Sequence, residues 1–183
     1  MSRVYTRTGD SGTTSLLYGG RASKAAELFD ALGDIDEAVS ALGVARSGCE
    51  DERRAELLLR LQRELFVVAA DLAVNPSHRD RLKPGLSLVE PAMTEALEQL
   101  IDQLTRERPL QPVFLVPGTT PQEAAIDLGR TIVRRAERHT VQAKAAGQVS
   151  SEEVLKYLNR LSDLLFVLAR QAAGGAEEPI SHD

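Results

Sequence analysis

The sequence predicts an all-α protein, a bundle of five helices led in by a glycine-rich segment. Leucines and other apolar residues recur at alternating spacings of three and four, proline and hydroxyl residues mark helix starts, and no strand-rich region or internal repeat interrupts the pattern. At 183 residues the chain is most simply one domain, long enough to bury about 70% of its unfolded surface without an external staple.

Residues 1–23 show no regular hydrophobic period. The stretch "TRTGDSGTTSLLYGG", Thr6 to Gly20, is dense in glycine and hydroxyl side chains instead. Gly9, Gly12, Gly19 and Gly20 let backbone N–H groups converge on an anion, with the hydroxyls as further donors and Lys24 as a point charge. Leu28, Leu32, Ile35, Val39 and Leu42 then return at spacings of 4, 3, 4 and 3, which predicts a first helix over 24–46, stopped near Gly48. Leu58, Leu61, Leu65, Val68 and Leu72 predict a second helix over 51–73, ended by Asn75-Pro76. Residues 74–90 form a long connection. Pro91 suits a first helical turn, where its missing N–H would be unpaired anyway, so a third helix covers 91–107. "PVFLVPG", 112–118, is too short for a helix and is either a lone extended segment or a loop on the bundle. Thr120-Pro121-Gln122-Glu123 sets a hydroxyl and a carboxylate three apart around a first-turn proline, opening a fourth helix that runs to 146. Ser150 and Glu153 make a second such box for a fifth helix, which Gly174-Gly175 releases after Ala173. The tail, 174–183, is expected to fray.

Composition narrows the function classes. A single cysteine, Cys49, allows neither an intrachain disulfide nor a zinc cluster of its own, and makes a reducing cytoplasm the expected compartment. Met1 is followed by polar residues rather than an apolar leader, and no apolar run reaches the roughly 20 residues of a membrane span. A net charge of −5 and an aromatic content of 4% without tryptophan argue against nucleic-acid binding. Two basic patches nevertheless stand out: Arg3, Arg7, Arg21 and Lys24 against Asp10 alone, and four arginines against one glutamate over 130–138. Small anions suit such patches better than polymers. His78, His139 and His182 are scattered and form no Glu-x-x-His pair, which disfavours a di-iron bundle.

Helical geometry isolates two polar stripes. On the fourth helix, Asp127, Arg130, Arg134, Glu137 and Arg138 fall in a sector of about 100°. Like charges four residues apart repel, whereas an arginine ladder at that spacing offers planar forks to a polyphosphate. The competing explanation is a solvated face neutralised by Asp127 and Glu137. On the fifth helix, Asn159, Ser162, Asp163 and Phe166 lie beside the Leu158, Leu161, Leu165, Leu168, Ala172 seam, and solvent is again one explanation for the polar members. The glycine-rich segment is no Walker A loop, since the GxxxxGK[ST] order is absent.

Taken together the residues resemble the PduO-type ATP:cob(I)alamin adenosyltransferases. "YTRTGDSGTTSL", "GDIDEAVSALG", "VFLVPGTT", "RTIVRRAER" and "YLNRLSDLLFVLAR" match five of that family's blocks in order, over residues 5–170. The resemblance implies a homotrimer of five-helix bundles with ATP and the corrinoid, cobalamin, held between subunits. Cobalt(I) would attack the ATP 5′-carbon and release triphosphate. By this resemblance Thr6, Arg7, Thr8, Gly9, Thr14, Ser15 and Lys24 form the ATP loop, and Arg134, Arg135, Glu137, Arg138 and Asn159 complete the nucleotide site. Arg130 matches an arginine that pairs with Asp36 across the subunit interface. Phe114 matches a phenylalanine that keeps the lower axial ligand away from cobalt, and Ser162 and Asp163 match corrinoid-side or supporting positions. Arg7 stands where lysine is common, a fork in place of a point donor. Mg²⁺ is expected on the triphosphate, with no protein ligand named. A non-catalytic carrier or sensor of the same fold is the alternative, and handover to a cobalamin-dependent enzyme is a possible further partnership.

Overall fold

Five α-helices form in the predicted places. In the computed structural model, which describes residues 5, 7–149, 151–175 and 178–180, α1 spans Glu27–Ser47, α2 Glu52–Leu72, α3 Pro91–Glu107, α4 Pro121–Ala145 and α5 Glu152–Ala173. The leucine seams of α2 and α5 are buried as their spacing requires, from Leu58 to Leu72 and from Leu158 to Leu168. Among the described residues no helix is long and apolar enough to cross a membrane.

Helix ends follow local chemistry. Asp51 accepts from the Arg54 N–H at the start of α2, and Thr120 accepts from the Glu123 N–H at the start of α4. Ser150 lies outside the described residues; Ser151 is the N-cap of α5, and Glu153 pairs with Lys156. Gly174 closes α5 in the left-handed conformation, φ 70°.

The all-α expectation needs four corrections. The glycine-rich segment is a β-hairpin, β1 (Thr13–Ser15) against β2 (Arg21–Ser23), in antiparallel register with Thr14 opposite Ala22. That pairing takes the chain through Ser23, and the Lys24 N–H donates to the Gly12 carbonyl at 2.9 Å, so α1 starts at Glu27 rather than 24. The 74–90 connection contains a short 3-10 helix, Pro76–Arg81. It is pinned by buried Asp71, which pairs with Arg79 at 2.6 Å and accepts from the Val89 N–H at 2.9 Å. Finally, the 112–118 strip supplies β3 (Leu115–Val116), which pairs antiparallel with β4 (Glu178–Pro179), so this part of the tail is ordered against the strip rather than frayed.

The core gathers around α1, α4 and α5. Leu28 meets Gln148, Asp34 meets Arg135 and Leu42 meets Gly129, so α1 and α4 run antiparallel. Small residues every seventh position line that seam: Ala31, Ala38 and Ala45 on α1, and Gly129, Ala136 and Ala143 on α4, all buried. They let the two backbones approach closely; a methyl group at Gly129 would lie 2.9 Å from Leu42 Cδ2. Helix α5 packs on the other side of α4, and α3 leans on α5 alone among the named elements.

One polar pair, buried at its tyrosine end, ties α2 to α5. The Tyr157 hydroxyl donates to Glu64 Oε2 at 2.6 Å. Burial, then the Glu64 charge, pushes its phenol well above the ordinary tyrosine value. Tyr157→Phe should therefore cost about 1.5–3 kcal/mol of unfolding free energy at neutral pH, read from denaturant midpoints. A folded-state value above the unfolded one gives stability that is full below about pH 10 and lost above it, so the gap between wild type and variant should narrow in alkaline titrations.

Candidate active site

Three helices enclose the main cavity, of about 710 Å³. Arg130 and Arg134 of α4 form one wall, Ser162, Asp163 and Phe166 of α5 the floor, and Glu98 and Asp102 of α3 the opposite wall. A second cavity of about 410 Å³ adjoins it, shares Arg130 and Phe166, and is lined by Phe114. Phe114 is 83% exposed, an unusual position for so large an apolar side chain.

Two of the arginines in the predicted ladder face this cavity. Arg130 is held by Asp127, Nε to Oδ1 at 2.5 Å, and its two terminal nitrogens have no partner among the described residues. Arg134 is exposed, and its carbonyl accepts from Arg138 Nη1 at 3.3 Å, one turn further along the same flank. Beside it, Asn159 Nδ2 donates to Glu137 Oε1 at 3.1 Å, joining the two polar stripes. The Ser162 hydroxyl donates back to the Asn159 carbonyl at 2.8 Å, which fixes its rotamer.

Arg135 points elsewhere. It donates to Asp34 Oδ1 at 2.8 Å and to Glu37, both on α1, and the Asp34 bond raises its affinity for the proton. His139 Nδ1 sits 2.6 Å from the same Asp34. Asp34 and Glu37 thus draw Arg135 to the α1 side of α4. Asp36 is exposed on α1 and forms no ion pair among the described residues; within the chain the partner of Arg130 is Asp127, not Asp36.

The hairpin carries the remaining candidates. Arg21 stretches across it, its Nη2 donating to the Thr8 carbonyl at 2.6 Å and the Thr13 hydroxyl at 2.5 Å. Lys24 lies against Gly9, its Nζ 3.1 Å from the place a Gly9 side chain would start, so a larger residue there would have to displace the lysine tip. Thr14 and Ser15 lie on β1, Arg7, Thr8 and Gly9 in the turn that leads into it, and Lys24 just after β2; Thr6 lies outside the described residues. The hairpin docks on the end of α2, with Leu17 N–H donating to Ala73 O at 2.8 Å and Asn75 Nδ2 donating to Gly19 O at 3.0 Å. Neither of its strands approaches α4.

Sequence reasoning missed several side chains that shape the cavity. Arg160 bridges Glu98 at 3.0 Å and Asp163 at 2.6 Å. Arg170 is buried against Glu123 and Asp127. Both arginines stand in the "YLNRLSDLLFVLAR" block, so the signal was there, but a charge on a leucine-rich helix does not announce which carboxylate it meets. Arg21 was noted only as part of a basic patch.

These features define a five-helix bundle whose polar side chains gather on one flank around paired cavities, with a hairpin of glycine and hydroxyl residues at one end. A family model described as cobalamin adenosyltransferase matches residues 4–172. A corrinoid adenosyltransferase of Mycobacterium leprae is 39% identical over 179 residues, covering 96% of this chain and 93% of the relative. One of Citrobacter freundii is 38% identical over 171 residues, covering 93% and 94%. In structure, a variant PduO-type ATP:corrinoid adenosyltransferase from Lactobacillus reuteri, complexed with cobalamin and ATP, superposes with a TM-score of 0.88 at 30% identity, covering 98% of this chain and 97% of that one. The chain belongs to the cobalamin adenosyltransferase family.

Proposed function

We propose that this chain transfers the 5′-deoxyadenosyl group of ATP to cob(I)alamin, yielding adenosylcobalamin and inorganic triphosphate. The observation that carries this is the convergence of Arg130, Arg134, Ser162, Asp163, Phe114 and Phe166 around two adjoining cavities in a chain of this family. The cobalt(I) electron pair forms the bond to the 5′-carbon as the bond from that carbon to the triphosphate oxygen breaks. The substrate brings its own nucleophile, so the protein's task is to bind, orient and stabilise the departing charge.

Arg134 and Arg138, on the open flank, are suited to the triphosphate by their forked donors. The hairpin, with Lys24 and Arg21 gathered over a glycine turn, is suited to the same anion. Since its strands lie away from α4 in one chain, the two halves would meet between copies, in a homotrimer. Arg130 would then offer its unpartnered nitrogens to the partner subunit's Asp36. Phe114, exposed beside Phe166 and Arg130, would lie against the corrin and keep the lower ligand from cobalt. Mg²⁺ would travel with the triphosphate, held by phosphate oxygens and water. Passing the product to a cobalamin-dependent enzyme would follow.

An anaerobic assay with chemically reduced cobalamin, ATP and Mg²⁺ tests the reaction, adenosylcobalamin formation being the expected outcome. Binding without product would leave a carrier. Arg134→Ala should lower kcat/KM for ATP about tenfold or more, as loss of a charge-assisted contact implies; unchanged kinetics would make the ladder a solvated face. Phe114→Ala should slow turnover from cob(II)alamin more than turnover from cob(I)alamin, and equal losses would remove its assigned role. Sedimentation should show a trimer, with trimer function weakened by Asp36→Asn.

A further inference from the structure

The charged cluster at the junction of α4 and α5 uses each carboxylate twice. Arg170, Glu123 and Asp127 are 4%, 0% and 3% exposed. Arg170 Nη2 donates to Glu123 Oε1 and, at 2.5 Å, to Asp127 Oδ2. The second oxygen of each acid reaches outward. Glu123 Oε2 accepts the N–H groups of Gly118 at 2.7 Å and Thr119 at 3.0 Å, which end the strip bearing Phe114. Asp127 Oδ1 accepts Arg130 Nε at 2.5 Å. The end of α3, from which the chain runs on to the strip, is tied to the same residue, since Arg108 Nη1 donates to the Arg170 carbonyl at 2.7 Å.

Stability alone does not call for this arrangement. Buried ion clusters are costly to desolvate and apolar replacements of equal volume often serve as well. Here two acids share one buried cation, and Arg170 Nε is left without a hydrogen-bond partner among the described residues. The arrangement does achieve one thing an apolar plug could not: it fixes Arg130 by a single nitrogen, leaving the terminal pair at the junction of the two cavities, while the same cation fixes the turn beyond Phe114.

We propose that Arg170, Glu123 and Asp127 form a positioning device that couples the Phe114 strip to Arg130. Asp127 acts on the reaction through Arg130, and Glu123 acts through the turn at Gly118 and Thr119. This rests on the adenosyl-transfer function for its kinetic readout but not for its structural one.

Two double-mutant cycles and an exchange measurement test it. Asp127→Ala should lower kcat about tenfold while adding less than about twofold in an Arg130→Ala background, because a residue acting through another is non-additive with it. Glu123→Ala should imitate Phe114→Ala in slowing the cob(II)alamin route more than the cob(I)alamin route, and should add nothing to it. Asp127→Asn and Glu123→Gln, which keep shape and remove charge, replace the alanine variants if those fail to fold. Independently of activity, backbone amide exchange at Gly118 and Thr119 should quicken about tenfold in Glu123→Gln and also in Arg170→Lys, which keeps the charge but loses the fork. Additive cycles, or exchange at the turn unmoved by Arg170→Lys, would overturn the coupling. A wild type with no adenosyl transfer would instead sink the assigned reaction, and the exchange result would then decide the coupling alone.

Discussion

A buried guanidinium needs an answer to its charge, and in this bundle the answer sets how two helices meet. Arg170 lies near the end of α5 among buried Val167, Leu168 and Ala173, where little water reaches it. An unpaired charge there would be prohibitive, so α4 must bring Glu123 and Asp127 to it. Hydrophobic contacts tolerate sliding by a fraction of a turn. A forked cation between two acids one helical turn apart does not, and so the α4–α5 register is fixed at the end of the bundle where the cavities open.

On the other side of α4 the constraint is steric. Alanines and a glycine at seven-residue spacing bring α1 and α4 together, and Arg135 and His139 seal that seam's edge against Asp34. Helix α4 is therefore committed on two flanks, to α1 by small residues and to α5 by leucines and ions. Its free flank is the one that carries Arg130, Arg134 and Arg138.

The sequence made the helices legible because leucine spacing and capping residues are local signals. It misplaced the start of α1 because the competing force, strand pairing between Thr13–Ser15 and Arg21–Ser23, depends on positive φ at Tyr18, Gly19 and Gly20, a turn that composition alone reads as a loop. The tail reads as frayed because two-residue strands such as Leu115–Val116 and Glu178–Pro179 leave no periodic trace. For the site, helical spacing selects Arg130, Arg134 and Arg138; Arg135, which the 130–138 basic patch and the family resemblance both group with them, turns instead to Asp34 and Glu37 on α1. No local rule could link Arg170 to Glu123, 47 positions earlier, or pin Val89 to Asp71; such pairings exist only once the helices have packed.

Helix α3 packs on fewer neighbouring helices than any other helix among the described residues. It rests on α5 alone, aided by the Arg160–Glu98 bridge and by Gln171 Nε2 donating to the Leu104 carbonyl. It also forms the wall of the main cavity opposite the arginines. The cavity thus has one stiff side and one compliant side. Widening it strains a single helix contact and a partly exposed ion pair, while the α1–α4–α5 core that aims the arginines stays at rest. Bulk can be accommodated on one side without any loss of aim on the other.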